Sequence, residues 1–449
     1  MKEVDIVVVG GGVGGICAAL AASRLYCRTL LIEKKPKIGG TAFYSPVALI
    51  CKFRDHMGRV INNGIQRELF PEAYQNSGLY FDEEKVPVYD EEIFQQRCVE
   101  LTAAEPYLEI WTESEVSKVH VNCGQIQSVE VTGKHQEQVS AKVFLDGTAD
   151  GNLSVLAGAG FEQGRPEDHK TQTATLTFIC RGIDTSKLKN PDLTTWGSHY
   201  SIRSELDVYY KKAKALNETT NHRNEVLCFP TLDGKGLLFN STSVVDVDST
   251  DERSLYLGTQ EGRKQVEELI QIIRRHPAFS KAKIEKISSC LGIRESRRII
   301  GDYQLTAEDC LSARKFSDMV AACAYELDIH DPDGKLNSKL QNIPYPGYYH
   351  IPYRCLIAKG FQNLLLSSRC ISGTHEAHSS YRVMSGITAI GQAAGTAAAL
   401  CVKEGQKDVR KVSVENIRYI LQTRGQFVEG KVTFTKLPYC HHDNIKVTD

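Results

Sequence analysis

A glycine-rich turn near the N-terminus constrains the fold more than any other feature of the sequence. Residues 6–9 are four consecutive apolar residues, which predict a short buried strand, and residues 16–25, rich in alanine and leucine, predict a helix. Between these segments Gly10, Gly12 and Gly15 have the spacing G-x-G-x-x-G. A turn of this kind between a strand and a helix is typical of a βαβ unit that binds phosphate.

Each glycine has a physical role in such a turn. Gly10 permits the tight turn, Gly12 lets the backbone approach a pyrophosphate, and Gly15 lets the helix and strand pack closely. The helix N-terminus offers free N–H groups and a positive dipole end to the phosphates. A second apolar run, residues 29–32, ends in Glu33, where an acidic side chain would accept hydrogen bonds from a ribose. The stretch therefore predicts dinucleotide binding, the alternative being a glycine-rich turn in a purely structural α/β unit.

Composition limits the classes of function. At 449 residues the chain is long enough for two or three packed domains, and its 54 basic and 55 acidic residues balance, so we expect no basic surface for nucleic acid. The 14 cysteines lack CxxC pairs and metal-ligand spacing, which favours a reducing cytoplasm, and we expect no metal site. No uninterrupted apolar run of about 18 residues occurs, so we also expect no membrane span.

Two further glycine-containing turns follow the first unit. Gly39-Gly40-Thr41 is a flexible turn with a hydroxyl, which suits the ribityl chain of a cofactor but equally a surface loop. Residues 109–145 alternate as strands do and predict a β-meander whose last strand, residues 142–145, joins the core. That strand leads into Gly-Thr-Ala-Asp-Gly at residues 147–151. Ligands of doubly wound sheets bind at such carboxyl ends of strands.

This order of motifs resembles the FAD-binding domain of the glutathione reductase and succinate dehydrogenase class of flavoproteins. In that class the strand-end motif usually reads Ala-Thr-Gly-Asp, whereas this chain has Gly147-Thr148-Ala149-Asp150, with the glycine displaced. The resemblance implies an α/β fold, in which a glutathione-reductase-type FAD-binding Rossmann-like domain carries an inserted α+β substrate domain. Since no second G-x-G-x-x-G follows, we expect no separate NAD(P)H domain.

We accordingly divide the chain into four segments. Residues 1–160, which include the β-meander 109–145, form the first part of the FAD-binding domain. Residues 161–345 form the substrate domain, and residues 346–405 return to the FAD-binding domain. Residues 406–449 form a C-terminal tail, in which a His441-His442 pair carries no functional signal.

Arginines recur in the stretch of residues 291–303. Arg294, Arg297 and Arg298 stand at i, i+3 and i+4, which on a helix would place them on one face. Guanidinium groups bind carboxylates and phosphates bidentately or stabilise a developing anion. We expect an active-site role for Arg294, whereas Arg297 and Arg298 could equally pair with nearby carboxylates as scaffold.

An alanine-rich helix is predicted at residues 388–400. Its small residues, Gly391 and Gly395 among them, would let backbone or a flavin approach closely. The N-terminus of this helix would offer N–H groups to the flavin N1/C2 carbonyl, where negative charge collects on reduction. The alternative is an ordinary alanine-rich core helix.

Three histidines are candidates for moving a proton. His375 and His378 precede the alanine-rich helix and are spaced with Arg382 so that one helical turn would align them. Imidazole can take a proton near neutral pH while a hydride leaves, and Arg382 could hold an anionic or hydroxylated substrate. One of the two histidines could instead be structural. His330 precedes a turn, where it could act as a base, bind substrate or cap the turn.

These later motifs resemble the bacterial FAD-dependent oxidoreductase family, a relative of the succinate dehydrogenase and fumarate reductase flavoproteins. The resemblance rests on residues 292–303, on Asp-Ile-His at 328–330 and on Arg-Cys-Ile-Ser at 369–372 with the helix after it. It implies bound FAD and a substrate domain over the isoalloxazine ring. In the fumarate reductase relatives an arginine just before the flavin-facing helix handles the substrate, and Arg382 matches that place. The family shares no single substrate.

We therefore expect a cytoplasmic FAD-dependent oxidoreductase that transfers a hydride between flavin N5 and a small polar, hydroxylated or carboxylated, substrate. The predicted catalytic residues are His375, His378, Arg382, Arg294 and His330. The predicted cofactor-binding residues are Gly10, Gly12, Val13, Gly14, Gly15, Glu33, Lys34, Gly39, Gly40, Thr41, Val116, Thr148, Ala149, Asp150, Ser385, Gly386, Ile387 and Gly391.

Two other functions stay open at this point. One is a flavin-binding sensor or assembly protein without turnover. The other is an NAD-dependent dehydrogenase, which would explain residues 10–33 but not the Gly-Gly-Thr turn or the alanine-rich helix. The sequence does not name the electron acceptor or donor, and it leaves a homo-oligomer open.

Overall fold

The computed structural model describes residues 1–75, 84–335 and 338–430, so His441 and His442 lie outside the described residues. The strands of these ranges, numbered β1 to β19, are Lys2–Glu3, Ile6–Val9, Thr29–Ile32, Leu108–Trp111, Ser114–Asn122, Gln125–Gly133, Glu137–Ser140, Val143–Asp146, Phe161–Gln163, Phe178–Arg181, Cys228–Pro230, Leu237–Phe239, Lys283–Ile287, Arg297–Ile299, Met319–Cys323, Leu327–Ile329, Lys339–Gln341, Tyr349–Pro352 and Leu364–Leu366. The α-helices, numbered α1 to α12, are Val13–Ser23, Thr41–Tyr44, Ile65–Leu69, Pro71–Gln75, Glu91–Ala103, Asn152–Leu156, Trp196–Ala215, Glu252–Ile273, Ala307–Leu311, His375–Tyr381, Met384–Lys403 and Val414–Thr423.

A five-stranded parallel sheet organises the first core. Its strand order, β19-β8-β2-β3-β4, places the strand before the glycine turn in the middle. Strands β2, β3, β8 and β19 are buried along their whole length. Parallel strands covered on both faces have nearly continuous apolar sequences, which is why these runs were recognisable. The fold is mixed α/β, as the sequence predicts.

The predicted β-meander is divided between two sheets. Strands β5, β6 and β7 form an antiparallel sheet that β1 completes by pairing in parallel with β7. Residues 108–111 do not belong to it, because they pair in parallel with β3 at the edge of the central sheet. Alternation of apolar and polar residues identifies a strand but not the sheet that it joins.

A second hydrophobic core takes its buried residues from the stretch between Ala174 and Leu291. Its antiparallel sheet has the order β11-β12-β10-β13, and helices α7 and α8 contribute buried side chains to the same core. After this stretch, residues of the first core begin again at Ile299. The predicted end of the substrate domain, residue 345, lies later in the chain. The division into domains stays a prediction.

Helices α1 and α11 lie against each other with their backbones in contact. A Cβ at Gly391 would overlap the carbonyl oxygen of Gly14, and a Cβ at Gly395 would overlap that of Ala18. The small residues of α11 therefore serve helix packing. By length and mean hydropathy, 1.3, α11 could cross a membrane, but 94% of its apolar window is buried inside the protein, as in a core helix.

Candidate active site

The segments that the sequence analysis singled out meet at the carboxyl edge of the central sheet. Strand β2 ends before Gly10, β3 before Glu33, β8 before Gly147 and β19 before Ser367. Because these strands are parallel, their carboxyl ends lie along one edge of the sheet. The structure thus assembles this edge from both ends of the chain.

The glycine turn is built as its spacing predicts. Gly10 has φ 101°, a left-handed conformation that favours glycine. A Cβ at Gly10 would lie 2.6 Å from the carbonyl carbon of Gly147, and a Cβ at Gly15 would overlap the carbonyl oxygen of Gly10. The tight turn and the close helix packing are therefore both present.

The first and second glycine turns touch each other. The Gly39 N–H donates to the Gly11 carbonyl at 2.8 Å. A Cβ at Gly40 would lie 2.7 Å from the Cα of Gly12. Helix α1 begins at Val13 without a side-chain cap from Gly12, so within the described part of the chain its first N–H groups have no capping side chain. Such N–H groups form an anion site for phosphate.

Glu33 is fixed beside this turn. Its buried carboxylate accepts the Gly11 N–H at 2.6 Å and the Lys35 N–H at 2.8 Å. A carboxylate oxygen can accept a second hydrogen bond, so both oxygens retain capacity for ribose hydroxyls. Lys34, also predicted to contact the cofactor, is exposed here.

Asp146 organises the loop after β8, and the sequence analysis missed it. Its buried carboxylate accepts the N–H and hydroxyl of Ser154 at 2.8 Å and 2.7 Å, and the N–H of Thr148 at 3.0 Å. Burial raises the pKa of Asp146, while these hydrogen bonds oppose the shift. The signal was an acidic residue that ends an apolar strand. Thr148 is thereby held in the loop at the carboxyl edge.

Asp150 is engaged by a second residue that the sequence analysis did not name as a site residue, Arg369. The Arg369 guanidinium donates to the Asp150 carboxylate at 2.9 Å and to the Ile293 carbonyl at 2.9 Å. The same carboxylate accepts the Ser296 hydroxyl at 2.5 Å. Arg369 follows β19 closely, and an arginine after a buried apolar strand was the available signal. The pair joins the carboxyl edge to the loop that carries Arg294.

The three arginines of residues 294–298 do not share a helix face, so that expectation was wrong. Residues 293–296 have no regular secondary structure, and Arg297 and Arg298 lie on β14, which pairs with β9. Arg297 donates to the Asp150 carbonyl at 2.8 Å, and Arg298 donates to the Glu295 carboxylate at 2.5 Å. Both therefore serve as scaffold. Spacing of three and four residues implies a shared face only if a helix forms.

Arg294 is held differently, because its hydrogen bonds are to neutral acceptors. It donates to the Thr173 carbonyl at 2.7 Å and to the Thr175 hydroxyl at 2.6 Å. Loss of hydration on burial, together with the nearby charges of Arg382 and Arg223, lowers the pKa of Arg294 to about 9. An anion at this place would be strongly attracted.

The two histidines of α10 have different surroundings. His375 is buried, and its Nδ1 lies 2.8 Å from the Glu295 carboxylate that also pairs with Arg298. This contact ties α10 to the segment that carries Glu295. His378 is fully buried, and neither ring nitrogen has a hydrogen-bond partner among the residues that the structure describes. Burial, with Arg298 and Arg382 nearby, lowers the pKa of His378 well below its ordinary value, so the ring is neutral.

His330, Arg382 and Tyr325 surround the carboxylate of Asp328. The His330 Nε2 lies 3.2 Å and the Arg382 Nη2 3.7 Å from one carboxylate oxygen, which also accepts the Tyr325 hydroxyl at 3.0 Å. Burial disfavours the ionised form of Asp328, but His330 and Arg382 lower its pKa well below the ordinary range. Burial and the charge of Arg294 lower the pKa of His330 to about 3, so His330 is a neutral partner.

The start of α11 lies against the glycine turn. A Cβ at Gly14 would lie 3.0 Å from the Ile387 side chain and would overlap the Ser367 carbonyl oxygen. The Ser385 hydroxyl donates to the Cys51 carbonyl at 2.5 Å, and Val383 gives the helix no side-chain cap. The N-terminal end of α11 thus lies beside the start of α1.

Two other residues predicted to bind the cofactor have surroundings that say little about binding. Val116 lies on β5 opposite Val131, and Thr41 at the start of α2 is exposed. Two cavities, of 170 Å³ and 280 Å³, are lined by none of the predicted catalytic or cofactor-binding residues. The first lies beside Phe43 and Tyr44. Within the described ranges, no group of three or more His, Cys, Asp or Glu residues could hold a metal ion.

Comparison with known proteins decides the family. A sequence model of the family described as FAD dependent oxidoreductase matches residues 5–421. The chain belongs to the FAD-dependent oxidoreductase family. It is a flavin enzyme, and its cofactor is FAD.

Solved structures show weaker likeness to this oxidoreductase. A geranylgeranyl bacteriochlorophyll reductase-like protein from Thermoplasma acidophilum is 12% identical with a TM-score of 0.46, the match covering 94% of this chain and 84% of that one. A p-nitrophenol 4-monooxygenase from Pseudomonas putida is 12% identical with a TM-score of 0.45, covering 94% and 86%. Likeness at this level does not carry over a reaction or a substrate.

The residues at the carboxyl edge suit FAD. A Cβ at Gly40 would press on the Cα of Gly12 and a Cβ at Gly10 on the backbone of Gly147, so these turns offer only backbone to a pyrophosphate. Glu33 offers a carboxylate beside the first turn.

Proposed function

We propose that this FAD-dependent oxidoreductase transfers a hydride between flavin N5 and a small polar substrate that is hydroxylated or carboxylated. The observation that supports it best is His378. A fully buried, neutral imidazole with two unpartnered ring nitrogens among the described residues costs stability unless a ligand or substrate uses it. His378 lies on α10, immediately before the helix that starts beside the glycine turn.

Each residue has a role in this proposal. Bound FAD supplies the two-electron partner for the hydride. His378 takes the substrate proton at a ring nitrogen, or returns it in the reverse direction. Arg294 and Arg382 orient the polar groups of the substrate, and His330 supports Arg382 through Asp328. His375 positions α10 through its bond to Glu295.

The cofactor would be held along the carboxyl edge. The N–H groups at the start of α1 bind the pyrophosphate, Glu33 binds a ribose, and the turn at Gly39–Thr41 follows the ribityl chain. In this proposal the FAD-binding domain is of the glutathione reductase type, with residues 161–345 as substrate domain. We further propose a cytoplasmic enzyme, monomeric or homo-oligomeric, that acts on a small molecule and binds neither nucleic acid nor membrane.

Anaerobic bleaching of the flavin absorbance tests the proposal. The purified enzyme with oxidised flavin is mixed with sugars, hydroxy acids and other alcohols. In a second series the flavin is first reduced chemically, and the enzyme is then mixed with unsaturated acids. We expect one class to reduce or reoxidise the flavin. A preparation without flavin absorbance would contradict the FAD assignment, and flavin that no compound reduces or reoxidises would favour a sensor or assembly role.

The residue assignment is tested with His378→Asn. We expect the rate of flavin reduction to fall about 10²- to 10⁴-fold while FAD stays bound, because general-base catalysis has this magnitude. His120→Asn, at a half-buried position on β5 paired with Glu130, is the matched control and should leave the rate unchanged. An unchanged reduction rate in His378→Asn would remove that residue from the mechanism.

A further inference from the structure

The 280 Å³ cavity lies outside the candidate active site, at a place where four helices meet. Its lining comes from the end of α1 and the two residues after it, from α3, from the middle of α11 and from the end of α12. Hydride transfer, as proposed above, uses none of these residues. We name this space the helix cavity.

Gln392 brings an unused hydrogen-bond donor to the helix cavity. It lines the cavity and is only 2% exposed, and its side-chain oxygen accepts the Ile65 N–H at 3.1 Å. That bond identifies the other end of the amide as the NH₂ group, which donates to no acceptor within the described ranges. The unpartnered amide atoms of Gln66 and Gln426 are buried but do not line the cavity. Because buried polar groups are normally hydrogen-bonded, a ligand with an acceptor oxygen suits Gln392.

Two arginines line the helix cavity, and they differ in their partners. Arg24 donates to both oxygens of Glu68, at 2.7 Å and 2.8 Å, and to Glu105 at 2.7 Å, so its charge is compensated. Arg424, the exposed C-cap residue of α12, forms no ion pair with any residue that the structure describes. Glu68 is the one carboxylate in the described lining and already pairs with Arg24, so the charge of Arg424 is available to an anion.

Much of the remaining lining is apolar. Ala21, Leu25, Ile65 and Ile420 contribute hydrocarbon surface to the helix cavity, and Ala21 and Ile65 are buried. Such walls favour a ligand with an apolar body, and a few polar groups then fix its orientation. A cavity of about 150 Å³ accommodates benzene, so a cavity of 280 Å³ has room for one ring with a carboxylate. A carboxylate also matches the planar fork of a guanidinium group.

We propose that the helix cavity is a second binding site, separate from the flavin, for a small organic acid with an apolar body. The carboxylate of this ligand pairs with Arg424 and accepts an N–H of Gln392. Its apolar body lies against Leu25, Ile65 and Ile420. The site does not depend on the hydride-transfer function, since no residue of that mechanism lines it.

Binding of benzoate to the FAD-loaded enzyme tests this without turnover. Benzoate and its neutral analogue benzamide are titrated at constant ionic strength, and the thermal midpoint and the visible flavin spectrum are recorded. We expect a saturable rise in the midpoint with benzoate alone and an unchanged flavin spectrum, since a ligand bound only by the native state stabilises it. No saturable effect of benzoate, or the same effect with benzamide, would overturn the proposal. Saturation by inorganic phosphate would also overturn it, because phosphate has no apolar body.

Variants assign the effect to the helix cavity. Arg424→Gln should weaken benzoate binding about 10-fold, as expected for a lost hydrogen bond to a charged group, and Arg424→Lys should recover part of it. Ala21→Leu places a larger side chain in the cavity and should abolish the benzoate effect. Arg263→Gln, which changes another exposed arginine, on α8, is the matched control and should bind benzoate like the unchanged enzyme. Unchanged benzoate affinity in Arg424→Gln would overturn the proposal, and this exposed position should tolerate the substitution.

Arg382→Gln distinguishes the helix cavity from the candidate active site, where benzoate could also bind. A benzoate effect that persists in Arg382→Gln and is weakened in Arg424→Gln would support the helix cavity. An effect that is lost in Arg382→Gln but kept in Arg424→Gln, with a changed flavin spectrum, would place benzoate at the active site and overturn the proposal. Neither result depends on flavin bleaching by a substrate, so failure of the hydride-transfer function would leave this test intact.

Discussion

The buried carboxylate of Glu295 holds three elements together, and its neutralisation should destabilise the protein strongly. Glu295 is 1% exposed and accepts hydrogen bonds from Arg298 at 2.5 Å, from His375 at 2.8 Å and from the Gln172 N–H at 3.0 Å. In Glu295→Gln the Arg298 guanidinium, 3% exposed, loses its nearest counter-charge. Breaking a buried ion pair from one side costs about 3–5 kcal/mol, because a charge stays buried without compensation.

Urea unfolding of the FAD-loaded enzyme measures this cost. The matched control is Glu285→Gln, since Glu285 pairs with Arg181 at 2.7 Å but is 48% exposed, and exposed pairs contribute about 0–1 kcal/mol. In the double variant Glu295→Gln/Arg298→Met both charges of this buried pair are removed, so its loss should be smaller than the sum of the single losses, with a coupling energy of about 2 kcal/mol. A Glu295→Gln loss below that of the control, or additive single losses, would refute the reasoning.

Three further predictions follow from the contacts described above. Gly391→Val should separate α1 from α11 and lower retained FAD, measured as the flavin-to-protein absorbance ratio after gel filtration, because its side chain would overlap Gly14; full retention would contradict the packing argument. Glu33→Gln should weaken FAD binding about 10-fold or more by flavin fluorescence titration, as a charge-assisted hydrogen bond is lost, and an unchanged affinity would place the ribose elsewhere. Burial lowers the pKa of His199 from 6.5 to about 4, so the folded protein binds fewer protons than the unfolded chain between these values. The stability that depends on this difference is complete above pH 6.5 and is lost as the pH falls towards 4, about 2 kcal/mol between pH 7 and 5; His199→Gln should lack that loss in urea unfolding at the two pH values.

Local patterns predicted the elements of the cofactor edge well. The strand at residues 6–9, the glycine turn and the strand at residues 29–32 each carry their information within a few residues, and the structure reproduces them. The same holds for α10, a helix in which His375 and His378 lie and which Arg382 ends as the C-cap residue, with the three- and four-residue spacing of one helix face.

Long-range pairing was not visible in the sequence. Arg294 and its neighbours show helical spacing but lie next to a strand, because β14 is fixed by its partner β9 far away in the chain. From the sequence, the glycines of α11 could contact either a flavin or another helix. The structure shows that Gly391 contacts Gly14 of helix α1.

The packing of α1 on α11 has a consequence for the order in which the chain folds. These helices stand near opposite ends of the chain, so ribosomal synthesis releases the glycine turn long before its partner helix and before β19 exists to cover β8. Contacts between distant segments form slowly because a long loop must close first. The second core draws its residues from one continuous stretch and can form while synthesis continues. The glycine turn is therefore among the first segments to be synthesised, but the edge to which it belongs is completed only after β19 and α11 have been made.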